Sequence, residues 1–126
     1  GHLAAEPRYV EAGERAVRAF AGTLRESPRG CATLLAALAD ALAPPASVIL
    51  AGHAAVCADW QRSLERAWRP GARVYNVAGA PLPAALVKGS VPGVGAVAWV
   101  CKGTQCLPPV DSLAAIETAL AAVPPA

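Results

Sequence analysis

The stretch Val97-Ala98-Trp99-Val100-Cys101-Lys102-Gly103-Thr104-Gln105-Cys106-Leu107-Pro108-Pro109-Val110 decides how this chain is read. It opens as an apolar strand, passes through a tight loop closed by two cysteines, and ends in prolines, which cannot donate to a sheet ladder. Spaced thiols carry redox, disulfide or metal chemistry that a plain apolar strand does not.

Upstream, Ser47-Val48-Ile49-Leu50-Ala51 is a second short continuous apolar run, the mark of a strand covered on both faces. Gly52-His53 turns out of it. Val56, Trp60, Leu64, Ala67 and Trp68 then recur at helical spacing, and Pro70-Gly71 stops the helix. Arg73-Val74-Tyr75-Asn76-Val77 reads as the next strand. Strand, helix and strand with short links predict a parallel, right-handed βαβ unit. Residues 78–95 are rich in glycine and proline, with one helical turn expected over residues 82–87. After the opening stretch, Asp111 or Ser112 caps a last helix that turns Leu113, Ile116 and Leu120 inward.

The amino-terminal third has a different character. Residues 7–24 read as one helix with Val17, Phe20, Ala21 and Leu24 on its apolar face. Ser27-Pro28 opens a second helix with a capping hydroxyl and a proline at the first position. Leu34, Leu35, Leu38 and Leu42 form its stripe, and Pro44-Pro45 ends it. The two are expected to form an antiparallel pair whose remaining apolar side must dock on something. The expected architecture is a helical pair over residues 1–43, then a small α/β domain over residues 44–126. That domain is drawn as a three-layer, mostly parallel, Rossmann-like sheet of about three strands in the order 2-1-3.

Composition sets limits on function. The chain has 126 residues, 55% of them hydrophobic and 16% charged, which suits a packed domain and not a disordered one. A net charge of +2 is too small to imply a nucleic-acid or membrane partner. No apolar run approaches the roughly 18 residues of a membrane span, and the first residues do not follow a signal-peptide pattern. Gly1-His2 is read as the scar of a cleaved tag. Four cysteines in this length fall short of a disulfide-stapled secreted module, so reduced thiols in the cytoplasm are the default expectation.

The residues that carry these features also resemble a family. Leu42 with Pro44-Pro45, residues 48–50 with Gly52, Trp99-Val100-Cys101, the four-residue step to Cys106, Pro109-Val110 and Leu113 resemble the carboxyl-terminal end of the YyaL-like proteins, relatives of the spermatogenesis-associated thioredoxin-domain proteins. Members look like a thioredoxin-like domain, then an α/α toroid similar to sugar epimerases, then a short α/β segment. The resemblance implies that the first two helices are the last of the toroid and that this chain's partners are the other domains of its parent. A homo-oligomer through the helical pair is a further possible partnership.

Each candidate site has a plain structural reading beside it. If the residues between Cys101 and Cys106 form a hairpin loop, the two thiols face each other at a spacing that suits a disulfide. The functional reading is a redox switch or a thiol relay, with Lys102 nearby to lower a thiol pKa. The plain one is two small apolar side chains. A zinc pair fits less well, because no Cys-x2-Cys pair exists. Cys31 and Cys57 sit in helical patterns and read as core. Gly52, His53 and Gly79 lie where strands end, the place where open α/β sheets hold ligands, yet no phosphate-binding glycine motif accompanies them. Arg62, Arg66, Arg69 and Arg73 form a basic stripe that more often is the wet face of a helix. No catalytic acid, base or nucleophile set can be assembled, so no catalytic residue, metal or cofactor is assigned.

Overall fold

The computed structural model describes residues 6–67, 69, 71–80, 89, 91–103 and 105–122. The chain divides into two compact units, Gly1–Pro44 and Pro45–Ala126.

The first unit is helical: α1 (Pro7–Ala19), α2 (Ala21–Glu26), a single 3-10 turn (Pro28–Gly30) and α3 (Ala32–Leu42), with α1 packed against α3. The expected single helix over residues 7–24 is therefore two. Phe20 closes α1 with φ −97° and ψ 10°, and the weak helix formers Gly22 and Thr23 follow it. No residue of α1 is buried, so packing does not force the break straight. The expected cap at Ser27 also differs. Its hydroxyl makes no capping bond, and the chain takes the 3-10 turn through Gly30, a costly residue for a helix, before α3 begins.

The second unit is built on a sheet of four strands: β1 (Ala46–Gly52), β2 (Ala72–Asn76), β3 (Ala96–Lys102) and β4 (Gln105–Cys106). Their order is β2-β1-β3-β4. Helix α4 (Ala54–Arg66) connects β1 to β2, which run parallel with Val48 beside Val74 and Leu50 beside Asn76. The β2-β1-β3 order is the expected one. The mostly parallel, three-stranded sheet is not found: the sheet is mixed and has a fourth strand. β3 is antiparallel to β1, with Gly52 opposite Ala96 and Ser47 opposite Cys101. The reason is where the chain re-enters. A parallel β3 needs a crossover that carries the chain back to the starting end of the sheet. Here β2 leaves and β3 enters at the same end, so β3 must run back.

One face of the sheet carries the core. Val48, Leu50, Ala98 and Val100 meet Cys57 and Leu64 of α4 and Ile116 of α5 (Leu113–Ala122), with Trp60, Val74 and Leu113 packed around them. The alternate residues Ile49, Ala51, Val97, Trp99 and Cys101 are buried as well. A strand pleat sends them to the opposite face, so the continuous apolar runs do mark strands covered on both sides. Of the two expected caps for α5, Ser112 is the one used: its Oγ accepts the Ala115 amide at 3.3 Å. The expected turn over residues 82–87 and Trp68 lie outside the described residues. Among the described residues no helix is long and apolar enough to cross a membrane.

Candidate functional site

The two cysteines of the opening stretch meet in a hairpin. β3 and β4 pair antiparallel with Lys102 opposite Gln105 and Cys101 opposite Cys106. Gly103 opens the loop between them at φ +59°, the left-handed geometry that two-residue hairpin loops require. The Leu107 amide donates to the Val100 carbonyl at 2.9 Å, so that neighbouring pair is hydrogen-bonded and the cysteine pair is not. Non-hydrogen-bonded pairs approach to about 4.5 Å between Cα atoms. Here a disulfide joins them and the separation is 3.9 Å. The default of reduced thiols thus does not hold at this pair, because the register stacks the two side chains directly over each other.

The bond lies at the rim of the sheet. Cys101 is 5% exposed and belongs to the buried face of β3. Cys106 is half-buried on the terminal strand, between exposed Gln105 and exposed Leu107. Beyond it the chain stays beside β3: Ala98 and Val110 exchange amide hydrogen bonds of 2.8 and 2.9 Å. This stretch leads into Ser112 and α5. The sequence separation across the disulfide is 5. Closing so short a loop restricts the unfolded chain by about 2 kcal/mol, against nearly 5 for a loop of about 100 residues. The bond is a weak staple at the rim of the sheet. The glycine at 103, shortly before Gln105-Cys106, was the available signal for β4.

The remaining cysteines are free. Cys31 stands at the amino-terminal cap of α3, half-buried, and not inside the helix. Cys57 is fully buried on α4, and burial pushes its thiol up from the ordinary range near 9.0. A raised folded-state pKa leaves stability unaffected below the unfolded value and removes it as pH rises above that value. Unfolding free energy is therefore expected to fall in denaturant titrations as pH rises above about 9, and Cys57→Ala flattens that slope.

The strand-end candidates form a junction of another kind. Gly52 ends β1 at φ +129°, and the His53 amide donates to the Gly95 carbonyl at 2.7 Å. His53 is exposed and makes no side-chain cap to α4. Gly79 sits in the turn after β2, where Asn76 Oδ1 accepts the Ala78 amide at 3.1 Å. In a doubly wound sheet the crevice opens because neighbouring strands both point their carboxyl ends at it. Here antiparallel β3 brings Gly95 into that position, and its carbonyl takes up the His53 amide. The junction thus binds its own backbone.

The arginine stripe is dispersed. Arg62 pairs with Asp59 one turn away, and Arg69 reaches Glu117 of α5 at 3.5 Å. Among the described residues no group of three or more histidine, cysteine or acidic side chains is placed to hold a metal ion. Comparison with protein-family models, with curated proteins and with solved structures finds no match for this chain.

Proposed function

We propose that this chain is a non-catalytic carboxyl-terminal domain of a larger, cytoplasmic YyaL-like protein, where it docks on the apolar helices of its parent and completes them. One observation carries this: in the first unit Phe20 is 55% and Leu42 78% exposed, although both belong to apolar stripes at helical spacing. Leu24 is the one buried residue of α1, α2 and α3 together. Helices this short gain most of their stability from packing an apolar face, and exposed apolar surface of this kind marks an interaction site. The resemblance supplies the occupant, the preceding helices of the toroid. The test is binding of a hydrophobic dye by the isolated chain, set against Phe20→Ser/Leu42→Ser. The expected result is several-fold less dye bound by the variant at unchanged stability of the second unit. Equal, low binding by both would defeat the docking surface.

A second reading, a thiol–disulfide module, is favoured by the Cys101–Cys106 bond at the sheet rim. In a reducing compartment such a bond is redox-active more often than structural. Thiol trapping after equilibration with glutathione is expected to show dithiol and disulfide interconverting between about −220 and −320 mV. Cysteines that stay in one state across that range, and label only on unfolding, rule the module out.

A further inference from the structure

We infer that Cys106 is the sulfur through which the Cys101–Cys106 bond is opened, and that the co-reactant is a vicinal dithiol on a partner molecule. This rests on the redox reading above and deepens it. Thiol–disulfide exchange requires a thiolate to approach one sulfur with the other leaving behind it, so access selects the sulfur attacked. The two sides are unequal. Cys101 is 5% exposed within the buried face of β3, whereas Cys106 is half-buried on the last strand of the sheet. Leu107, 42% exposed, and the exposed Pro108 and Pro109 follow it and give an incoming partner an apolar rim to rest on.

The step balances within the pair of reactants. A partner thiolate bonds to Cys106 Sγ, the disulfide breaks, and the electron pair passes to Cys101 Sγ, which takes up a proton. The partner's second thiolate then attacks its own sulfur in the mixed disulfide and expels Cys106 as a thiolate that protonates. Two electrons and two protons have moved to this chain, and the partner is left as a disulfide.

The hairpin explains why one thiol is not enough. Its backbone bonds do not depend on sulfur: Leu107 to Val100 at 2.9 Å and the reciprocal pair between Ala98 and Val110 hold β3 and the returning segment together. After the first step Cys101 therefore stays beside Cys106 and attacks the mixed disulfide from a high effective concentration. A monothiol is mostly thrown off again, so that in large excess it leaves a small adduct population that an acid quench traps. A vicinal dithiol competes with this reversal by an intramolecular step of its own.

The oxidised full chain is treated with 2-mercaptoethanol in large excess or with dithiothreitol at the same total thiol, quenched with acid, and mapped by peptide mass. The expected result is at least tenfold more mercaptoethanol adduct on Cys106 than on Cys101, and at least tenfold more complete reduction by dithiothreitol. Adduct mainly on Cys101, equally on both, or on neither overturns the assignment of the entry sulfur. Equal reduction by the two reagents overturns the dithiol requirement. Resistance of the folded chain to both reagents, with reduction only after denaturation, instead removes the redox reading on which the inference stands.

Discussion

Gly52→Ala is expected to cost about 3 to 5 kcal/mol of unfolding free energy, the sum of a strained backbone and an overpacked junction. A Cβ at this position would lie 2.6 Å from the Gly95 carbonyl oxygen and 2.8 Å from Ala96 Cα. Both are backbone atoms, so no side chain can swing aside. The φ of +129° belongs to a region that residues with a Cβ rarely enter. Relief by moving β3 would break the His53-to-Gly95 hydrogen bond and the Gly52–Ala96 pairing that sets the β1–β3 register. Gly79→Ala is the control. It shares a positive φ, +75°, but its added Cβ meets nothing within 4 Å, so only the conformational cost of about 1–2 kcal/mol applies. Urea titrations of the two variants separate the effects. A Gly52→Ala loss no greater than that of Gly79→Ala means that the close approach does not constrain the sheet.

This junction also shows where sequence reasoning is strong and where it fails. A glycine at the end of an apolar strand has two explanations, a ligand that needs the backbone bare and a neighbouring strand that does. The sequence of β1 cannot choose between them, because the neighbour is β3, more than forty positions away. Burial patterns were legible. The apolar runs of β1 and β3, the inward stripe of α4 and the inward residues of α5 follow from spacing that each segment carries in itself. Strand direction was not legible, since parallel and antiparallel neighbours can both be apolar on two faces. The cysteine pair was legible to the level of a hairpin that juxtaposes two thiols. Its unequal exposure was not, because it depends on which strand is internal and which is last in the sheet. In the first unit, stripe spacing put Phe20 and Leu42 on apolar faces, one side of which was expected to stay uncovered by the pair itself, and both are exposed. Periodicity marks the side of a helix that favours contact; it does not supply the surface that covers it.

Ile116→Ala is expected to destabilise the second unit by about 2–5 kcal/mol, and Ile116→Val by about 0.5–1.5. Ile116 is 0% exposed and is the buried residue of α5. It belongs to the cluster that contains Val48 and Leu50 of β1 and Ala98 and Val100 of β3. Truncation removes apolar contact and leaves a void between a helix and a sheet that cannot readily close, because strand spacing is fixed by backbone hydrogen bonds. The competing account is that the Arg69–Glu117 ion pair holds the helix. That pair spans 3.5 Å with side chains 34% and 49% exposed, a setting in which an ion pair contributes about 1 kcal/mol or less. Glu117→Gln should therefore change stability by under about 1 kcal/mol, and raising salt should leave Ile116→Ala as costly as before. A Glu117→Gln loss larger than that of Ile116→Ala would show that charge docks the helix. The segment from Cys106 to Ser112 is held at one end by the rim of the sheet and at the other by a helix anchored through Ile116. With the Leu107–Val100 and Ala98–Val110 backbone bonds in place, breaking the disulfide is expected to leave both the hairpin and the core intact.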